Sequence, residues 1–149
     1  MRKMLLAALL LVSGTGFAQE KLGVVRHNHL ALQVADIQTS ARFYRDVLGL
    51  TPLPVPDNLK AIRSWFDLGD GQQIHLMAGR TAPVVHDKNG SHIALFVENI
   101  DRSEAFLKSR QLPYHKQVRF DGVVQIYFAD PDGYLFELNE AKKALSGSR

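Results

Sequence analysis

His29-Leu30-Ala31-Leu32-Gln33-Val34-Ala35-Asp36-Ile37-Gln38-Thr39-Ser40-Ala41-Arg42-Phe43 reappears as His92-Ile93-Ala94-Leu95-Phe96-Val97-Glu98-Asn99-Ile100-Asp101-Arg102-Ser103-Glu104-Ala105-Phe106, at an offset of 63. Seven of the fifteen pairs are identical: His29/His92, Ala31/Ala94, Leu32/Leu95, Val34/Val97, Ile37/Ile100, Ser40/Ser103 and Phe43/Phe106. A second block aligns at an offset of 62, with Trp65/Tyr127, Phe66/Phe128, Asp70/Asp132, Gly71/Gly133 and Leu76/Leu138, and it sets His75 opposite Glu137. Matching on this scale points to internal duplication, so the chain is read as two similar modules.

Each copy starts with alternation. Leu30, Leu32 and Val34 interleave with His29, Ala31 and Gln33, the period of a strand with two different faces. Asp36 can then cap a helix carrying Ala41, Phe43, Tyr44, Val47 and Leu48, which Gly49 stops. Pro52, Pro54 and Pro56 break the chain before short strands around 63–68 and 72–78. The second copy predicts a strand over 92–97, a helix after Asn99, a break at Pro113 and strands near Val118, over 124–129 and over 134–139. Asp130-Pro131-Asp132-Gly133 suits the hairpin turn between the last two. The reading is an α+β domain of two βαβββ modules, 26–79 and 91–140, joined by a linker over 80–90 and followed by a polar tail, 141–149.

The chain has 149 residues, no Cys, and 18 Lys/Arg against 15 Asp/Glu. Arg2 and Lys3 precede the apolar run Met4–Val12, and small residues at Gly16 and Ala18 flank Phe17, the layout of a signal peptide over 1–18. The apolar run is too short to span a bilayer, so the expectation is export, periplasmic or secreted, with no membrane anchor after cleavage. Without those two cations, 16 basic residues face 15 acidic ones. That near-neutral balance removes the support for nucleic-acid binding. Lack of Cys excludes a disulfide framework and leaves only nitrogen and oxygen as metal donors.

Strand parity gathers the chemistry. The apolar parity should pack under the helices, while the other carries His29, Arg63, Trp65, Gln73, His75, His92, Gln125, Tyr127 and Glu137. If the modules pair about a pseudo-twofold axis, His29 becomes equivalent to His92 and His75 to Glu137. These four then surround one point, a donor set suited to Zn²⁺, Ni²⁺, Co²⁺, Mn²⁺ or Fe²⁺. Arg63, Trp65 and Gln125 would line the pocket beside them. His27, His86 and His115 fall outside the repeat pattern and read as surface residues.

Asn28-His29-Leu30-Ala31-Leu32, Ser40 with Phe43-Tyr44, Leu48-Gly49-Leu50, Gln73-Ile74-His75-Leu76, Ser91-His92-Ile93-Ala94-Leu95 and Tyr127 through Gly133 to Glu137 together resemble the vicinal oxygen chelate superfamily. That group includes glyoxalase I, fosfomycin-modifying enzymes, bleomycin-binding proteins and extradiol dioxygenases, and the likeness covers about residues 26–140. It implies paired βαβββ modules around a sheet-lined, U-shaped cleft holding a divalent metal, formed within one chain or across a swapped dimer. The resemblance to bacterial-type glyoxalase I maps four ligands onto His29, His75, His92 and Glu137, although His75 stands where that enzyme usually has Glu. It further implies that Glu137 shuttles a proton between neighbouring carbons of a small substrate with vicinal oxygens, with Tyr127 in the same cleft. Fosfomycin enzymes are similar at His29, His92, Glu137 and Tyr127 but carry Thr at the position of Ala31. The expectation is a metal-dependent lyase or isomerase; a ring-cleaving dioxygenase and a non-catalytic metal- or antibiotic-binding protein are the alternatives.

Overall fold

Two repeat-matched polar residues start the two helices. Asp36 accepts a hydrogen bond from the Thr39 amide at 2.6 Å and Asn99 from the Arg102 amide at 2.8 Å, each supplying a partner for a first-turn N–H that the helix cannot satisfy. The computed structural model describes residues 22–86 and 90–141; the expected signal peptide and all but the first residue of the expected tail lie outside them. The order is β1 (His29–Val34), α1 (Ile37–Asp46), β2 (Thr51–Leu53), β3 (Arg63–Gly69), β4 (Gln72–Ala78), β5 (Ile93–Val97), α2 (Ile100–Ser109), β6 (Tyr114–Val118), β7 (Val124–Ala129) and β8 (Leu135–Glu140). The βαβββ unit therefore occurs twice.

Each module forms a four-stranded sheet, ordered β1-β4-β3-β2 in the first and β5-β8-β7-β6 in the second. The first strand of each pairs in parallel with the last, and the other pairs are antiparallel. Pro52, expected to interrupt the chain, lies inside β2, where an edge strand tolerates a missing N–H. Among the described residues no helix is long and apolar enough to cross a membrane.

The apolar parity of both sheets enters one core. Leu32, Val34, Phe66, Ile74 and Leu76 from the first module share it with Ile126, Phe128, Phe136 and Leu138 from the second. Helix α1 joins the two halves: fully buried Tyr44 packs against Phe66 at 5.7 Å and against Phe136 at 5.9 Å between ring centroids. Each polar sheet face consequently lies on the far side of its sheet from the shared core.

The β7–β8 turn does more than reverse the chain. Asp132 accepts bonds from the Ala35 amide (2.7 Å), the Ser40 hydroxyl (2.6 Å) and the Arg80 guanidinium (2.6 Å), and Asp130 accepts one from the Tyr44 hydroxyl (2.9 Å). Tyr134 donates back to the Gln33 carbonyl at 2.9 Å. Arg80 opens the expected linker, yet it forms part of this junction. The repeat does not carry the junction over: Asp70, matched to Asp132, is exposed, and Ser103, matched to Ser40, donates locally to the Asn99 carbonyl at 3.1 Å.

Candidate functional site

In the second module, cross-strand pairing sets one row of residues on the outer face: His115 opposite Tyr127, Tyr127 opposite Glu137, Glu137 opposite Ala94. His92 precedes Ala94 on that face, and Gln117, Gln125, Asn139 and Phe96 form the adjacent row. Glu137 is the centre. Its side chain is 7% exposed, and an isolated carboxylate buried this far would be costly. Here it is well supplied: Asn139 donates at 2.7 Å, Gln125 donates to the same oxygen, and His92 Nε2 lies 2.7 Å from the other. Burial pushes the Glu137 carboxyl up, but Asn139, the Tyr127 hydroxyl, His92 and Gln125 outweigh it and hold it below the ordinary carboxylate range.

The His92 pairing carries chemical information. Its Nδ1 lies 2.9 Å from the Gly90 carbonyl oxygen, which can only accept, so Nδ1 holds a proton. In a neutral ring Nε2 is then bare, and it points at a carboxylate oxygen 2.7 Å away. Two acceptors at this distance need a positive species, a proton or a metal ion. Donors bound about 2.0–2.2 Å from one ion stand roughly 3 Å apart at right angles, close to this spacing. Orientation of a ligating imidazole by a backbone carbonyl on its other nitrogen is the usual supporting arrangement at metal sites.

On the outer face of the first sheet, Trp65, His75 and His29 make a stack. Centroids are 4.8 Å apart for Trp65–His75 and 4.2 Å for His75–His29. His29 Nδ1 is bonded to Asn28 at 2.6 Å and His75 Nε2 to Gln73 at 2.7 Å. Burial, and then the charge of His29, lower the His75 pKa and favour the neutral, ligating ring. Arg63 shares this face by parity, with its guanidinium on the Ile62 carbonyl at 2.9 Å.

The expected residues thus fall into two pairs, His92 with Glu137 and His29 with His75. Convergence of all four on one point does not occur within a single chain: among the described residues, no three His, Asp or Glu side chains could share an ion. The reason is the core, which takes the inner faces of both sheets and leaves their polar faces apart. Gln125 and Tyr127 join the Glu137 group, while Trp65 joins the His75 stack. Asn139 was missed, although it is the next residue of Glu137's own parity. His115 is exposed, as expected of a surface residue, but it stands on the site face opposite Tyr127. Only the β6 register could have revealed that.

A family model described as the Glyoxalase/Bleomycin resistance protein/Dioxygenase superfamily matches residues 26–138. Among curated proteins, "Glyoxylase I 4" of Arabidopsis thaliana is 27% identical over 119 residues, covering 74% of this chain and 68% of that protein. "Virulence protein STM3117" of Salmonella typhimurium is 28% identical over 131 residues, covering 77% and 83% respectively. The crystal structure of a glyoxalase family protein from Bacillus anthracis superposes with a TM-score of 0.65 at 25% identity, over 80% of this chain and 97% of that one.

Proposed function

Because the chain belongs to the Glyoxalase/Bleomycin resistance protein/Dioxygenase superfamily, we propose that it is an exported, divalent-metal-dependent enzyme of the glyoxalase type, a lyase or isomerase. Its substrate is a small molecule with vicinal oxygens. Each site is assembled by two copies of the chain, His29 and His75 of one facing His92 and Glu137 of the other. The observation that carries this reading is His92 Nε2 set 2.7 Å from Glu137 Oε2 while the Gly90 carbonyl orients the ring through Nδ1, the spacing and support of two neighbouring ligands of one ion. The stacked His29 and His75 supply two more nitrogen donors on a separate face, as a two-chain site requires. Symmetric pairing of one chain with its copy is the common route to such a site, and it would use the open edges of β1 and β5.

Three imidazoles and a carboxylate suit Zn²⁺, Ni²⁺, Co²⁺, Mn²⁺ or Fe²⁺, and the ion, when bound, supplies polarisation of adjacent substrate oxygens. The chain's residues do the rest. Glu137 takes a proton from a carbon beside a carbonyl and returns it to the neighbouring carbon. Gln125 and Asn139 fix the carboxylate so that it does not rotate away from that carbon. Tyr127, edge-on to His92 at 5.7 Å, fills the side of the site and keeps bulk water off Glu137.

The test mixes two inactive variants. His29→Ala and Glu137→Ala should each fail to retain stoichiometric metal and fail to turn over a hemithioacetal panel. Refolded together in equal amounts, they should recover about a quarter of the wild-type sites, since half the dimers are mixed and each mixed dimer has one intact site of two. No recovery in mixtures that sedimentation shows to exchange subunits would refute a two-chain site. Full metal content in Glu137→Ala would refute the ligand set, and oxygen uptake confined to Fe²⁺ or Mn²⁺ would move the assignment to a dioxygenase.

A further inference from the structure

Beside Glu137, the site face continues into a cavity of ≈ 550 Å³ lined by Phe96, Arg119, Val123, Asn139, Glu140 and Ala141. Asn139 belongs to both, since it donates to Glu137 at 2.7 Å and stands opposite Phe96 across the β5–β8 pair. Phe96 lies two residues beyond Ala94, which is opposite Glu137. Alternate residues on one face are about 7 Å apart, so the ring begins one small functional group away from the carboxylate. Phe96 is 80% exposed, an unusual state for a Phe on a sheet face whose other members are polar or small.

The charges around this cavity are already engaged. Arg119 is held by both oxygens of Asp121, at 2.8 and 2.5 Å, and Glu140 accepts from the Ile100 amide at 2.9 Å. An anionic substituent would have to displace Asp121, and a cationic one would meet Arg119. What stays unsatisfied is apolar surface: the Phe96 ring, Val123 and Ala141. A larger cavity, ≈ 1020 Å³, lies at the start of α2 and shares Val123, Glu140 and Ala141 with this one, but neither Asn139, which bonds Glu137, nor Phe96 lines it.

We propose that the Phe96–Val123–Ala141 cavity is the substituent pocket of the Glu137 site, selecting vicinal-oxygen substrates that carry an uncharged aromatic or branched alkyl group. The proposal rests on the metal-site reading above. A substrate chelated beside Glu137 would lay that group along β5, against Phe96 and over Val123, within the 300–1,000 Å³ range of small-molecule sites.

The probes are acetohydroxamate and benzohydroxamate, which offer the same two adjacent oxygens with a methyl or a phenyl substituent. Cobalt-loaded protein is titrated with each, and dissociation constants are read from the visible absorption of the ion. Benzohydroxamate should bind at least about tenfold more tightly, the gain expected from burying a ring in place of a methyl. Phe96→Ala and Val123→Trp, which respectively remove the ring and fill the space, should each cut that preference to less than about threefold while leaving acetohydroxamate affinity and cobalt content unchanged. Equal binding of the two probes by the wild type, or a preference surviving in both variants, overturns the pocket alone. Absence of binding by either probe, or of cobalt uptake, overturns the metal-site reading and this proposal with it. A Phe96→Ala protein that becomes monomeric and loses acetohydroxamate binding shows that Phe96 serves the subunit interface, and likewise overturns the proposal.

Discussion

Removing the Asp132 carboxylate should separate the two halves of the core. The side chain is 3% exposed and its partner Arg80 14% exposed, with Nη2 2.6 Å from Oδ1. The Ala35 amide at 2.7 Å, Ser40 at 2.6 Å and Arg80 Nε at 3.1 Å complete its bonds. Hydrogen bonds to a charged group contribute about 1.5–3 kcal/mol each, and simple addition over these donors would overshoot because they share one carboxylate. Breaking a buried pair by removing one partner costs about 3–5 kcal/mol. Arg80 retains a bond to the Ala82 carbonyl and some access to water, so the lower end applies. Asp132→Ala should therefore lose about 3 kcal/mol, and Asp132→Asn, which keeps an acceptor but not the charge, roughly half of that. The repeat-matched Asp70 makes the control, because it is exposed and Asn tolerates its positive φ of 50°. Asp70→Asn should stay within about 0.5 kcal/mol of wild type. Urea unfolding followed by circular dichroism at one fixed protein concentration measures all three, since subunit association would otherwise contribute. A loss below about 1 kcal/mol for Asp132→Ala, or equal losses at 70 and 132, would refute the junction as an energetic link.

Tyr44→Phe removes the donor to buried Asp130 and should lower stability by about 1–3 kcal/mol, read as a lower thermal midpoint. Gly133→Ala should cost a comparable amount, since a Cβ there would meet the Val84 carbonyl oxygen at 2.9 Å on a residue with φ +95°. Gly49→Ala, at φ +70° with open space around it, should cost only the backbone penalty of about 1 kcal/mol. The acid limb tests the junction's charges. Ser40, the Ala35 amide and Arg80 outweigh burial and hold the Asp132 carboxyl below its ordinary 3.8, so its contribution is present above that value and lost as pH falls through the folded one. Burial raises Asp130, whose contribution runs the other way. In pH-dependent unfolding, Asp132→Asn should show a shallower loss of stability below about pH 4 than the wild type; an unchanged slope would mean the carboxylate titrates alike folded and unfolded.

Local physics carried much of the sequence reading. Two-residue alternation predicts the opening strand of each module, β1 and β5, because a strand with one buried face must show it, and Asp36 and Asn99 announce their helices through the same capping chemistry. The repeat placed His75 against Glu137 and Trp65 against Tyr127, and all four occupy matching positions on the two polar faces. Missing from the pattern was any residue whose meaning depends on a distant partner. Asp132 looks like an ordinary hairpin residue until Ala35 and Ser40 arrive from the other module and Arg80 from the linker. His115 falls outside the duplication because its β2 counterpart is Leu53, the residue paired with Trp65.

The two modules, the faces of their strands and the polar residues on those faces all follow from period and residue type along a continuous stretch of chain. How one module meets the other is set by contacts between residues far apart in the chain. Tyr44 wedges α1 between the sheets and the Asp130–Asp132 turn ties them from behind, so the apolar faces share one core. That arrangement sends His29 and His75 to one surface and His92 and Glu137 to another. Periodicity cannot express it, because either way of stacking two modules buries the same apolar parity.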